Sequence, residues 1–228
     1  MYNEQSNART CIVGIDTVLA SLDVDYGIIA VDDGSTDATL LELNRLAEET
    51  ARLRIVRHER NAGYGAANRT AFAAAIAGGF GYAIVMDADG TQDPQFIRSF
   101  FPAMSAGVDF IKATRYCRDS RVEGVDPRRK AISWLGNRFA GIVLRIPITD
   151  FTNGFRAIRV DLLKKLQTHD RGFSMLMEEV VCARDLGASF AEVPYTLTAR
   201  DAPGSVSKFN YSFTVYRDYL KYIFRPRA

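Results

Sequence analysis

Two short apolar runs that each end in an acidic turn constrain the fold of this chain more than any other feature. Residues 27–31, Gly-Ile-Ile-Ala-Val, lead into Asp32-Asp33-Gly34-Ser35, and residues 82–86, Tyr-Ala-Ile-Val-Met, lead into Asp87-Ala88-Asp89-Gly90. Residues 54–57 and 108–113 read as further strands. Between them, residues 37–51 place Leu40, Leu41, Leu43 and Leu46 on a helical face, and residues 64–77 are rich in alanine. Strand, helix, strand, helix, strand is the order of parallel βαβ units, so an α/β fold with a mostly parallel sheet flanked by helices is expected. Ser35 or Asp37 is placed to cap the helix at 37–51.

The acidic turns fall at strand carboxyl ends, where open α/β sheets form their ligand crevice. Alternate residues of an extended chain share a face, so Asp87 and Asp89 can point the same way. Two hard carboxylates there suit Mg2+ or Mn2+, and an ion bound in this way carries a substrate diphosphate.

At 228 residues the chain suits one large α/β domain, with room for a small appendage. Its 47% hydrophobic and 11% aromatic content supplies a core and argues against disorder. A formal net charge of +2 leaves no bulk attraction for nucleic acid, so anion recognition rests on local clusters. Cys11, Cys117 and Cys182 are widely spaced and form no CxxC pair, which reads as reduced thiols of a cytoplasmic protein without disulfide or zinc site. His58 and His169 stand apart and read as structural. No apolar run approaches the ~18 residues of a membrane span, so the chain is expected to be soluble or to sit on the membrane surface.

Past residue 113 the pattern changes. Residues 115–130 are polar, contain Gly124 and Pro127, and read as a mobile loop. Helices are expected at 131–145, 161–167 and 174–187, a strand at 191–197, a glycine- and proline-containing loop at 200–207, and a final helix at 208–224. In that last segment Phe209, Phe213, Tyr216, Tyr219, Leu220 and Phe224 interleave with Lys221, Arg225 and Arg227, which suits the bilayer interface. The start is unusual, because Met1-Tyr2-Asn3-Glu4 leads directly into a helical stretch with no strand ahead of it. A fold of this type should open with a strand, so the first strand is expected to be missing and the start to be an internal methionine or a trimmed end.

Together these segments resemble family 2 glycosyltransferases, specifically the polyprenyl-phosphate (dolichyl-phosphate) mannose synthase group. The resemblance covers nearly the whole chain. It rests on Tyr2-Asn3-Glu4, on Val31 through Asp37, on Asn61-Ala62-Gly63-Tyr64-Gly65 and on Met86-Asp87-Ala88-Asp89-Gly90. It continues through Thr114-Arg115-Tyr116, Asp150 through Arg156, Glu178 and the Arg200…Gly204…Ser207-Lys208 loop. The resemblance implies a GT-A fold, a nucleoside-diphosphate sugar donor, a divalent metal, and inverting transfer of a hexose to a polyprenyl phosphate, with mannose from GDP-mannose favoured. It implies a glycosyltransferase domain over 1–207, with a nucleotide-binding half to 113 and an acceptor-binding half beyond it. Residues 208–228 follow as an amphipathic helix, and the whole is peripheral at the cytoplasmic face of a membrane.

Carried over residue by residue, the family pattern gives Tyr2, Glu4 and Asp33, with Asp32 beside it, to the nucleoside end. Asp87 and Asp89 hold the metal, with Gln92 a further candidate. Arg115 and Arg129 serve the acceptor phosphate, Asp150 contacts the transferred sugar, Arg156 orders the site, and Glu178 hydrogen-bonds the sugar while Glu179 faces elsewhere. Arg200 and Lys208 belong to a loop over the diphosphate, longer here than the compact Arg-x-x-Gly-x-Ser-Lys of the family. A phosphate monoester is already anionic near neutral pH, so the acceptor needs positioning and no general base. Gln95-Phe96-Ile97-Arg98 lacks the Trp of the processive Q-x-x-R-W signature and follows Asp89 too closely, which excludes processive synthesis. Two other readings stand beside this one: a same-fold transferase using UDP-glucose or a glycan acceptor, and a non-catalytic nucleotide-sugar-binding protein.

Overall fold

The computed structural model describes residues 1–198 and 213–225. The chain opens with α1 (Ala8–Ala20), β1 (Ile28–Asp32), α2 (Thr39–Glu49), β2 (Leu53–Arg57), α3 (Tyr64–Ala77) and β3 (Tyr82–Val85). A 3-10 turn (Pro94–Phe100) and α4 (Phe101–Ser105) lead to β4 (Phe110–Thr114) and the short β5 (Arg121–Val122). Then come α5 (Pro127–Leu144), β6 (Arg156–Arg159), α6 (Val160–Leu163), α7 (Met175–Asp185), β7 (Phe190–Pro194), β8 (Thr196–Leu197) and α8 (Phe213–Ile223).

The described strands form three sheets: β1-β2, β3-β6-β4-β7 and β5-β8. The pairs β1–β2 and β4–β7 are parallel, in keeping with the expected mostly parallel sheet, and so is β5–β8, whose first strand lies where the sequence reads as loop. β6, absent from the sequence expectation, runs antiparallel between β3 and β4. β1 and β3 do not pair with each other, and among the described residues no strand precedes α1.

Helix boundaries follow local chemistry. Asp126 caps α5, its Oδ1 accepting from the N–H groups of Arg128 and Arg129 at 3.0 and 3.1 Å, with Pro127 at the first helical position. The basic residues 128–130 thus lie in a helical turn, whereas the sequence reading put them in a mobile loop. At α2 it is Asp37 that takes the Thr39 N–H, at 2.9 Å, while Ser35 Oγ accepts from Asn3 N–H.

Three apolar clusters hold the layers. Ile12, Leu43 and Leu46 fix α1 and α2 on β1, while Phe100, Phe155 and Tyr195 pack edge to face beneath β4 and β6. The largest cluster joins α5, α7 and α8 to β4 and β6 through Phe110, Phe151, Met175 and Tyr222. Each such side chain contributes about 1.5–3 kcal/mol when fully buried.

Candidate active site

The carboxyl ends of β1 and β3 open into a cavity of about 1490 Å³. Tyr2, Glu4, Asp33, Asp87, Asp89 and Gln92 line it together with Arg115 and Arg129. Eight of the residues singled out from the sequence therefore share one space.

Beside the carboxyl end of β1 the main chain of residues 1–5 is fixed. Glu4 N–H donates to Thr39 Oγ1 at 2.8 Å, and Asn7 Nδ2 donates to Glu4 Oε2 at 2.8 Å. Asp33 is nearly buried and accepts from Ala62 and Gly63 N–H at 2.9 and 3.0 Å, with His58 Nδ1 at 2.6 Å. It thereby moors the glycine-rich turn that opens α3. Asp32 has no exposed surface, and its Oδ1 accepts from Ser35 N–H, so it shapes the turn from below. Neither His58, shared between Asp33 and Thr70, nor His169 sits in the cavity.

Asp87 follows the last residue pair of β3. Gln92 braces it twice: its Oε1 accepts from Asp87 N–H at 2.8 Å, and its Nε2 donates to Asp87 Oδ2 at 2.9 Å. Gln92 is therefore a support for Asp87, and the expectation that it joins the metal ligands is not matched by this geometry. Asp89 Oδ1 accepts from Thr91 Oγ1 and N–H at 2.6 and 3.2 Å. Burial, and then the charge of Asp89, push the Asp87 carboxyl up to about 6. A Cβ at Gly154 would collide with Asp87 Oδ2 and the Tyr64 hydroxyl, so only glycine lets the turn ahead of β6 pass so close. Tyr64 stacks on Phe173 with 4.7 Å between ring centroids, and its buried hydroxyl has no hydrogen-bond partner among the described residues.

These residues fit a divalent ion of a particular kind. No group of three or more His, Cys, Asp or Glu able to hold a metal occurs among the described residues. Two neighbouring carboxylates that repel each other, Asp87 held out of water, suit Mg2+ or Mn2+ completing its shell with substrate phosphate oxygens and water.

Across the cavity, Arg115 is clamped. Its Nε and Nη2 donate to Asp150 at 2.7 and 2.8 Å, and Nη2 also reaches Thr152 Oγ1 at 2.8 Å. Burial works against both charges, but the pair holds the Arg115 guanidinium above its ordinary value and the Asp150 carboxyl below the usual carboxylate range. Asp150 has no exposed surface, and its oxygens are further committed to Thr152 and Asn153 N–H. The expectation that it touches the transferred sugar does not match this position; it orients Arg115.

Arg156 lies fully buried beneath the site. It is bidentate to Glu179 at 2.6 and 2.8 Å, and it also donates to Gly154 O and Asn68 Oδ1. It holds the Gly154 turn and α3 together, which makes it a positioning residue. Its partner Glu179 was assigned elsewhere from the sequence. Glu178 does not line the cavity: its Oε2 accepts from His169 and Asp170 N–H at 2.9 and 2.8 Å. That loop was missed in the sequence, yet Arg171 O accepts from Gly65 N–H and Asp170 O from Arg69. Glu178 thus supports the loop packed against α3, and the expectation that it hydrogen-bonds the sugar does not match this position.

Of the basic triplet 128–130, Arg129 is the member that lines the cavity. Arg200 and Lys208 lie outside the described residues. One further buried cation was not anticipated: Lys112 on β4 has no exposed surface, and its Nζ has no hydrogen-bond partner among the described residues.

Comparison with known proteins gives the family and the fold. The chain is 30% identical over 208 residues to the polyprenol monophosphomannose synthase of Mycolicibacterium smegmatis, covering 88% of this chain and 76% of that protein. It is 29% identical over 227 residues to the dolichol-phosphate mannosyltransferase of Pyrococcus furiosus, covering 98% of this chain and 61% of that longer protein. Among solved structures, glucosyl-3-phosphoglycerate synthase from Mycobacterium tuberculosis, in complex with Mn2+, uridine-diphosphate and phosphoglyceric acid, shares the fold. Its TM-score is 0.70 at 20% identity, covering 99% of this chain and 77% of that one. The sequence profile described as Glycosyl transferase family 2 matches residues 1–167, and the chain belongs to that family.

Proposed function

We propose that this glycosyltransferase moves mannose from GDP-mannose to a polyprenyl phosphate with inversion at the anomeric carbon. The observation that carries this reading is one cavity with a carboxylate pair, Asp87 and Asp89, on one side and two cations, Arg115 and Arg129, on the other. The names of the Mycolicibacterium and Pyrococcus relatives support the choice of sugar and acceptor.

Asp87 and Asp89 would hold the divalent ion, which when bound neutralises charge on the departing nucleoside diphosphate. Tyr2, Glu4 and the turn moored by Asp33 receive the nucleoside. Arg115, fixed in direction by Asp150 and Thr152, and Arg129 draw in the acceptor phosphate and offset its repulsion from the donor. A phosphate oxygen then forms the bond to the anomeric carbon as the sugar–diphosphate bond breaks, and the nucleoside diphosphate leaves with the electron pair. Because the acceptor is already anionic, no side chain has to take a proton.

We place the enzyme peripherally on the cytoplasmic face of a membrane. No described helix is long and apolar enough to cross one. Yet Leu135, Phe139 and Ile142 on α5, Leu220 on α8 and Phe224 just after it are exposed, beside Arg138, Lys221 and Arg225. An apolar face rimmed by cations suits an anionic bilayer interface.

The test is product formation from GDP-mannose and UDP-glucose, each with and without a short polyprenyl phosphate, with Mg2+, Mn2+ or excess EDTA. A mannosylated lipid phosphate formed only with metal is expected. Preference for UDP-glucose would replace the donor, and undiminished transfer in EDTA would remove the metal.

A further inference from the structure

Three buried side-chain atoms have no hydrogen-bond partner among the described residues: Asp32 Oδ2, Lys112 Nζ and the Tyr64 hydroxyl oxygen. Of their residues, Tyr64 is the one that lines the cavity. A buried hydroxyl left unmet costs free energy, and the reason for keeping one is sought first at the site it borders.

The surroundings of Tyr64 supply that reason. A Cβ built on Gly154 would strike Asp87 Oδ2 and the Tyr64 hydroxyl together, so both oxygens crowd one point. The charges that act on Tyr64 are Asp87 first, then Arg156 and Glu179. Asp87 Oδ2 accepts from Gln92 Nε2 at 2.9 Å, and a carboxylate oxygen has room for a second donor. Arg156 uses four of its five N–H groups, two on Glu179 and one each on Gly154 O and Asn68 Oδ1. The fifth, on Nη1, makes no hydrogen bond to a described residue. The Tyr64 ring itself is held: it stacks on Phe173, and the neighbouring Gly65 N–H donates to Arg171 O at 2.9 Å.

We propose, on the reading that Asp87 and Asp89 hold a divalent ion, that Tyr64 is a positioning residue for that ion, its hydroxyl donating to Asp87 Oδ2 beside Gln92 when the cation binds. Two donors on Oδ2 leave Oδ1 for the cation and fix the direction of the carboxylate. The Tyr64 oxygen in turn accepts the spare N–H of Arg156, which aims its proton at Asp87. One side chain thereby joins the buried Arg156–Glu179 pair to the metal site. The hydroxyl costs stability in the metal-free protein and holds the ion in the loaded one.

The test compares Tyr64→Phe with the unaltered chain. Phenylalanine keeps the stack on Phe173 and removes the oxygen alone. Mn2+ is titrated with GDP and, separately, with UDP, and the free ion is read by electron paramagnetic resonance; melting is followed without metal. The variant should bind Mn2+ about tenfold more weakly, yet melt at the same temperature or higher when metal-free. Equal Mn2+ affinity in the two proteins would overturn the role of Tyr64 and leave the metal reading standing. Weaker binding together with a lower metal-free melting temperature would also overturn it, since the hydroxyl would then be structural. An unaltered chain that binds no Mn2+ with either nucleotide would overturn the metal reading, and the role of Tyr64 with it.

Discussion

Two pairs of acidic residues lie around the Gly154 turn and serve opposite ends. Asp87 and Asp89, at the end of β3, line the cavity and repel each other. Asp150 and Glu179, around β4 and β6, are fully buried and each grips one arginine in a bidentate pair. The first pair is held in a state that a cation relieves. The second has already been given its cations by the chain. A carboxylate at a site is thus read by its partners: Asp150 and Glu179, satisfied within the protein, set geometry, whereas Asp87 and Asp89 line the cavity in which we propose the metal is held.

Substitutions can break that distinction. The largest expected effect is Arg156→Ala, which leaves Glu179 buried and unpaired and should cost about 3–5 kcal/mol in denaturant unfolding. A fully stable variant would show that the buried pair does not hold α3 to the Gly154 turn. Next, Asp89→Ala should lower kcat/KM by about a thousandfold, or roughly 4 kcal/mol, with the melting temperature nearly unchanged. If instead it unfolds the protein, Asp89 belongs with the structural pair.

Arg129→Ala should raise the KM for lipid phosphate by about tenfold, with donor Kd unmoved in calorimetry. Weakened donor binding would put this cation on the other substrate. Arg115 is less clean to test, because its removal also strands Asp150.

The smallest effect concerns Lys112, which burial, and then the charge of Arg156, bring down to about 7. Its folded-state value lies below the unfolded one near 10.4, so between those two the unfolded chain binds the extra proton and stability rises with pH. Lys112→Met should flatten that rise in melting curves taken from pH 7 to 10. An unchanged slope would mean that the ammonium finds solvation.

Much of this was legible beforehand because local signals and tertiary packing agree. Residues 64–77 are helical to the residue, opened by Gly63 in a conformation that favours glycine. The acidic turns fall at strand ends as their pattern requires. β6 was hidden because it is four residues long with arginine at both ends, and only burial of Arg156 against Glu179 makes it an interior strand. Glu178 and Glu179 were misassigned for a related reason. On α7 the run from Met175 to Val181 is buried all round, so the rule that one helix face meets the core does not choose between neighbours. Roles inferred from family position also could not reveal that Asp150 and Gln92 are committed to other side chains.

The wall formed by α3 and the loop at 169–173 has a consequence for how the molecule comes to exist. Arg69 reaches Asp170 across 101 positions of sequence, and Gly65, where any Cβ would strike the Asp170 carbonyl, is pressed against the same loop. Contacts of that separation close late, because the loop entropy has to be met before they yield anything. On a ribosome, β1 to β3 emerge with their acidic turns long before the segment that completes the pocket. The wall of the cavity beside α3 is therefore complete only after Glu178 has organised residues 169 and 170.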